Sequence, residues 1–194
     1  MEEKGLSYES KMLQFSKKEH KGPEIMALNP RGQVPTLVDG DIIVGESLAA
    51  LLYLDDAYPE HPLLPSSKKE RALAYQRLVE SSNLQEKVSG VIRLKMFNPN
   101  PDPADVQKAK EALKGELKYW DEHTKGGFVA GSEFTLADAA VGPFALALKR
   151  FGATLKEFPH LAKYVETVGA RPSFQKTSPP HWKDSPNQDW LNDL

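Results

Sequence analysis

Gly32-Gln33-Val34-Pro35-Thr36-Leu37, with Gly45-Glu46-Ser47 following at the start of an apolar helix, is the stretch on which the reading of this chain turns. A residue before proline is driven to extended geometry, and an X-Pro bond is the one kind whose cis form costs as little as roughly 0.5–1 kcal/mol. A cis bond at Val34-Pro35 would turn the Val34 N–H and C=O away from any sheet ladder and leave them open to a second extended backbone, as in strand addition. The partner would then be peptide-like. Thr36-Leu37-Val38 and Asp41-Ile42-Ile43-Val44 are β-rich runs around Asp39-Gly40, which predicts a hairpin. At its far end Leu48, Leu51, Leu52 and Leu54 begin a helical apolar face, so Ser47 offers a hydroxyl and a backbone N–H to a carboxylate while Glu46 suits an ammonium. Those are the two charges of an amino-acid terminus. Each piece alone also serves as ordinary structure, a strand started through a Pro turn or a helix cap. Together, in this order and at this separation, they point to binding.

Composition bounds the rest. At 194 residues, with 40% hydrophobic and 27% charged residues, the chain can build a large core as one domain or two small ones. A net charge of −2 gives no reason to expect nucleic acid or an acidic membrane surface as partner. With no cysteine in the sequence, disulfide frameworks, zinc-thiolate sites and cysteine nucleophiles are excluded within this chain, and a reducing cytoplasm is the natural setting. No apolar run approaches a membrane span, and residues 1–20 lack the apolar core of a signal peptide.

Residues 57–67, rich in proline and serine, read as a linker between a strand-containing part over residues 1–60 and an all-helical part over residues 68–194. In the second part Leu84, Val88, Val91 and Lys95 share helical spacing before Asn98-Pro99-Asn100-Pro101 interrupts it, and Val106, Ala109, Leu113, Leu117 and Trp120 form another stripe, ended by Gly126-Gly127. Thr135 with Asp138 reads as a capping box opening a helix apolar almost all round, through Val141, Phe144, Leu146 and Leu148, which Gly142-Pro143 should kink. Leu161, Tyr164, Val165 and Val168 give a further amphipathic helix stopping near Arg171-Pro172, and the tail after Pro179 reads as irregular.

Asn29-Pro30-Arg31-Gly32-Gln33-Val34-Pro35, Asp39-Gly40, Glu46-Ser47 and Tyr53-Leu54 together resemble the amino-terminal domain of cytosolic glutathione transferases. Phe134-Thr135-Leu136-Ala137-Asp138 is similar to the capping motif of their helical domain, and Lys17-Lys18-Glu19-His20-Lys21 with Pro179-Pro180-His181-Trp182 resembles the rho-like class. The resemblance implies an α+β, thioredoxin-like amino-terminal domain followed by an all-α bundle. It also implies transfer of glutathione, a co-substrate, to small apolar electrophiles by a homodimer that holds no bound cofactor or metal. By the same resemblance Val34 beside Pro35 meets the cysteinyl backbone, Glu46 and Ser47 hold the γ-glutamyl end, and His20, Lys21 and Gln33 reach the glycine carboxylate; read on its own, Lys17 to Lys21 is equally a solvated charge run. The electrophile site of the family lies between its domains, where Tyr75, Met96, Phe97, Phe174 and Trp182 are candidate lining residues, although such side chains are as often plain core.

The chain departs from the family at its beginning. Met1 to Leu6 resembles the end of the family's first helix, with Gly5 as its cap, and Tyr8 to Leu13 resembles its second strand. The first strand and the catalytic loop are therefore expected upstream of Met1, together with the hydroxyl residue that favours the thiolate. The sequence thus reads as a piece of a longer transferase, whose amino-terminal domain should be loose unless the remaining strands re-pair. A free thiol with a pKa near about 8.5 needs such help, and each tenfold gain in the thiolate-to-thiol ratio takes about 1.36 kcal/mol. Ser7, Tyr8 and Ser10 are the nearest hydroxyls in sequence, but they lie on the wrong element. A non-catalytic glutathione-binding or structural protein of the same fold is the alternative.

Overall fold

The computed structural model describes residues 1–98, 100–184 and 187–194, and the chain divides into two compact units, Met1–Leu63 and Leu64–Leu194.

The first unit opens with a single helical turn over Glu2–Lys4, closed by Gly5 in the left-handed region at φ 66°, the cap expected from the sequence. Two more single turns, Phe15–Lys17 and Glu19–Lys21, lead into helix α1 (Pro23–Leu28), whose first position is a proline that needs no N–H partner. Strands β1 (Leu37–Asp39) and β2 (Ile42–Val44) form an antiparallel hairpin with Leu37 opposite Val44, and Gly40 takes the turn's positive φ of 61°. Helix α2 (Ser47–Ala57) follows.

Residues 8–13, expected as a strand, are irregular instead. A strand's backbone groups need a neighbouring ladder, and among the described residues the one sheet is the β1–β2 pair, so no strand pairs with this segment to hold it extended. Long-range polar contacts knit this unit together in place of a larger sheet. The buried Lys4 ammonium reaches the Asp55 carboxylate at 2.9 Å and the His61 carbonyl at 2.7 Å, while Asp55 also accepts from the Leu63 N–H at 2.7 Å. Asp39 accepts from the hydroxyls of Tyr53 and Tyr58 at 2.7 and 2.6 Å, tying the hairpin to α2. These donors, Tyr58 foremost, hold the Asp39 carboxyl below its usual range, and the Tyr53 phenol is pushed up to about 12.

The second unit is helical: α3 (Lys68–Phe97), α4 (Pro103–His123), α5 (Leu136–Arg150), α6 (Pro159–Gly169), α7 (Pro172–Thr177) and α8 (His181–Asp184). The interruption expected at Asn98 to Pro101 falls where α3 ends in the extended Asn98, and Pro99 lies outside the described residues. The sequence stripes become the core. Leu78, Leu84, Val88 and Val91 of α3 are buried where that helix packs on α4, which contributes Leu113, Leu117 and Trp120, and on α5, while Leu161, Tyr164 and Val168 are buried where α6 packs on α4 and α5. Helix α5 is buried almost all round and carries Pro143 inside it.

Its start is set by the capping box. The Asp138 carboxylate accepts from the Thr135 N–H at 2.8 Å, the Thr135 hydroxyl at 3.0 Å and the Val129 N–H at 3.0 Å, and the Thr135 hydroxyl accepts from the Ala137 N–H at 3.2 Å. Burial pushes the Asp138 carboxyl up against the pull of those donors. Helix α6 has no cap from its own flank; Asp121 of α4 supplies one, accepting from the N–H groups of His160 and Leu161 at 2.8 and 2.9 Å. The tail after Pro179, expected to be irregular, first forms the short helix α8, and residues 187–194 are irregular; they are docked, with Leu191 fully buried and the Leu194 backbone oxygen accepting from the Thr154 and Leu155 N–H groups.

Between α3 and α4 sits a half-buried polar knot. The Arg77 guanidinium donates to Glu80, to the Tyr119 hydroxyl and, at 3.1 Å, to His123 Nδ1. That geometry needs a neutral His123, and burial together with the Arg77 charge lowers its pKa, against Glu80 of α3 and Glu122 of its own helix.

Asp138→Ala is expected to lose about 2–4 kcal/mol of stability in urea denaturation, because it orphans two buried backbone N–H groups and a cap. For His123 the folded pKa lies below the unfolded value of about 6.5, so its contribution is intact above that pH and is lost as pH falls through the depressed folded value. The urea midpoint should therefore fall between pH 7.5 and 5 more steeply in the parent chain than in His123→Gln.

Candidate functional site

The hairpin register gathers the residues singled out in the sequence. Because Leu37 pairs with Val44, the chain leading into β1 and the chain leaving β2 emerge at the same end of the ribbon, which sets Val34-Pro35-Thr36 beside Gly45-Glu46-Ser47. The Val34-Pro35 bond is cis, as expected from the sequence. Val34 is 40% exposed, and its N–H and C=O have no hydrogen-bond partner among the described residues.

Glu46 occupies the N-cap position of α2 in extended geometry, yet no side chain caps the helix, so the first-turn N–H groups are left to an outside acceptor. The exposed Glu46 and Ser47 side chains have no hydrogen-bond partner among the described residues. The bland reading of this stretch as a helix cap therefore does not describe it. An uncapped positive helix end beside a carboxylate is chemically suited to both charges of an amino-acid terminus.

The other candidates lie on the turns before and after α1. His20 is half-buried, its ring 4.6 Å from that of Phe15, with an enclosed Nδ1 that has no partner among the described residues. Lys21 is exposed and donates to the Arg31 carbonyl at 2.8 Å, which folds its side chain over the loop that carries Gln33. Gly32 has φ 56°, and a Cβ there would come within 2.7 Å of the Met26 sulfur, 2.8 Å of Lys21 Cδ and 2.9 Å of the His20 carbonyl oxygen. The loop therefore closes onto the His20–Lys21 turn only because this position is glycine. Gln33 is exposed; its carbonyl is held by Asn29 Nδ2 at 3.0 Å and by the Thr36 hydroxyl at 3.2 Å.

Sequence reasoning gave no role to Asn29, although its side chain bonds to three positions of this loop. Its signal was present in the residue type: an asparagine closing a short helix ahead of Pro and Gly is a frequent side-chain-to-backbone turn former.

The five residues named as candidates for an apolar pocket are not gathered in the second unit. Tyr75 is separated from Met96 and Phe97 by most of α3, about 30 Å along the helix axis. Phe174 of α7 packs edge-on to Phe134 and against Gly142, and Trp182 lies beneath the Arg150 guanidinium. Among the described residues no group of acidic, histidine or cysteine side chains could hold a metal ion, and no helix is long and apolar enough to cross a membrane.

Comparison with known proteins bears on this arrangement. Residues 1–56 match the family model of the glutathione S-transferase N-terminal domain, and residues 84–172 match that of the C-terminal domain. Glutathione S-transferase A of Pleuronectes platessa is 41% identical over 203 residues, an alignment covering 100% of this chain and 90% of that protein. This chain belongs to the glutathione S-transferase family. Among solved structures of the family, a glutathione S-transferase from the Antarctic clam Laternula elliptica superposes with a TM-score of 0.90 at 43% identity, covering 99% of this chain and 90% of the other. The glutathione transferase URE2P6 of Phanerochaete chrysosporium, solved in complex with oxidized glutathione, superposes with a TM-score of 0.81 at 29% identity over 90% and 84% of the two chains. The fold of the family, a small thioredoxin-like unit followed by a helical one, is the fold seen here, with two strands in the first unit.

Gly32→Ala is expected to cost about 1–3 kcal/mol, since it combines a left-handed backbone with three close contacts. Hydrogen exchange should show the loss in residues 20–36 while α3 and α5 keep their protection.

Proposed function

We propose that the hairpin end and the α2 start grip glutathione, and that the chain's chemistry is conjugation of its thiol to a small apolar electrophile. The Val34 N–H and C=O pair with the cysteinyl backbone, Glu46 receives the γ-glutamyl ammonium, and Ser47 with the open α2 N–H groups holds its carboxylate. His20, Lys21 and Gln33 serve the glycine carboxylate at the far end. The observation that carries this reading is the juxtaposition, by one antiparallel register, of an open backbone pair and an uncapped helix start bearing a carboxylate. In the reaction the thiolate sulfur forms a bond to an electrophilic carbon, the leaving group departs with its electron pair, and the thiol proton passes to solvent. The protein contributes binding and proximity.

A second reading, a glutathione-binding protein without turnover, is favoured by one observation: Ser7, Tyr8 and Ser10 lie exposed in the irregular segment before Phe15, and none of them is placed by a regular element. We further infer a rho-like member from the Lys17–Lys21 run and the Pro179–Trp182 segment, a cytoplasmic setting from the absence of cysteine, and a homodimer, for which the exposed Tyr75 and Val79 on one face of α3 offer apolar surface.

Isothermal calorimetry of the full chain with glutathione is expected to show binding that Glu46→Ala weakens by ten-fold or more, about 1.4 kcal/mol per factor of ten. Unchanged affinity in that variant would sink the γ-glutamyl assignment. A chlorodinitrobenzene assay then separates the two readings: acceleration over the glutathione-only rate assigns transfer, and binding without acceleration assigns the non-catalytic form.

A further inference from the structure

We propose that Asn29 is a positioning residue that locks the two halves of the glutathione site into one geometry, an inference that rests on the functional reading above. Asn29 is 6% exposed and closes α1, donating its backbone N–H to the Ile25 carbonyl at 2.7 Å and accepting the Gly32 N–H at 2.7 Å. Both polar atoms of its side chain are engaged. Oδ1 accepts from the Arg31 N–H at 3.1 Å, and Nδ2 donates to the Gln33 carbonyl at 3.0 Å and to the Thr36 hydroxyl at 3.4 Å. These bonds fix the residues on both sides of Val34-Pro35.

The same amide lies against Gly45. A Cβ built on Gly45 would stand 2.9 Å from Asn29 Nδ2 and 3.2 Å from its Cγ. One buried carboxamide therefore touches the loop that presents the Val34 backbone and the residue that precedes Glu46. Neither a shorter side chain nor a carboxylate reproduces this. Aspartate keeps the acceptor for Arg31 but turns an oxygen toward the Gln33 carbonyl, so attraction becomes repulsion at the same distance. Asn29 reaches no ligand in this scheme; it acts through Val34 and Glu46.

Gly45 is the complementary half. Its φ is not in the left-handed region, so alanine is allowed by the backbone there and acts through its contact with Asn29 alone. The pair thus invites a double-mutant cycle, in which coupled residues depart from additivity.

The experiment measures glutathione affinity by calorimetry, well below each variant's thermal midpoint, in the parent chain, Glu46→Ala, Asn29→Asp, Asn29→Ala, Gly45→Ala and Asn29→Ala/Gly45→Ala. Asn29→Asp and Gly45→Ala are each expected to weaken binding ten-fold or more. The double variant is expected to bind no more weakly than Asn29→Ala alone, because the clash needs both side chains. A merely structural asparagine would lower the thermal midpoint and leave the dissociation constant unchanged, which overturns the inference. Should Asn29→Asp fail to fold, Gly45→Ala and the double variant carry the test by the same non-additivity. A parent chain that binds no glutathione overturns the functional reading and this inference with it, whereas a loss in Glu46→Ala with parent-like binding in Asn29→Asp and Gly45→Ala overturns this inference alone.

Discussion

The pairing of Leu37 with Val44 is the constraint on which the site depends. A hairpin of two three-residue strands returns the chain to where it began, so the segment ahead of the first strand and the segment behind the second meet without any long-range folding step. Slipping that register by one residue would turn every side chain of the ribbon over and part Val34 from Glu46. The surrounding polar contacts act on the same geometry. Asp39 fastens the turn end of the hairpin to Tyr53 of α2 and to Tyr58 just past its end, and Asn29 fastens the open end, so the ribbon is held at both extremities.

The two units keep their shape by different means. In the second, apolar burial is extensive, and two of its buried carboxylates cap helix starts: Asp138 for α5 and Asp121 for α6. In the first, Ile25 and Leu54 are the hydrophobic side chains that are buried among the described residues, and charge and hydroxyl contacts carry more of the load. A buried pair such as Lys4 with Asp55 gives little net stability against its desolvation, but breaking it leaves an uncompensated charge, which makes it a specifying contact.

What could be read from the sequence was what neighbours in the chain decide. Val before Pro, Asp before Gly, and Thr three residues ahead of Asp each announce their geometry locally, and each is realised in the hairpin, the cis bond and the capping box. The helical stripes of Leu84 to Val91 and Leu113 to Trp120 were legible for the same reason, since burial follows a fixed period. What escaped was decided at a distance. Asp55 meets Lys4 across 51 positions and Asp121 caps His160 across 39, and no residue type signals such partners. Residues 8–13 carry a strand's likeness without a strand's neighbour, and Tyr75, Met96, Phe97, Phe174 and Trp182 are apolar side chains whose grouping no motif records.

The ribbon also has bearing on how the molecule behaves in crowded solution. Each of its strands is paired along one edge and bare along the other among the described residues, while Val38, Ile42 and Ile43 stand 42–50% exposed. Bare edges with β-branched side chains are templates for cross-chain ladders, and a net charge of −2 supplies weak colloidal repulsion against them. The protection is brevity: three residues offer too few rungs for a stray chain to hold. Strand length thus sets how readily these edges could pair between chains, and lengthening either strand would favour such pairing along with a stronger sheet.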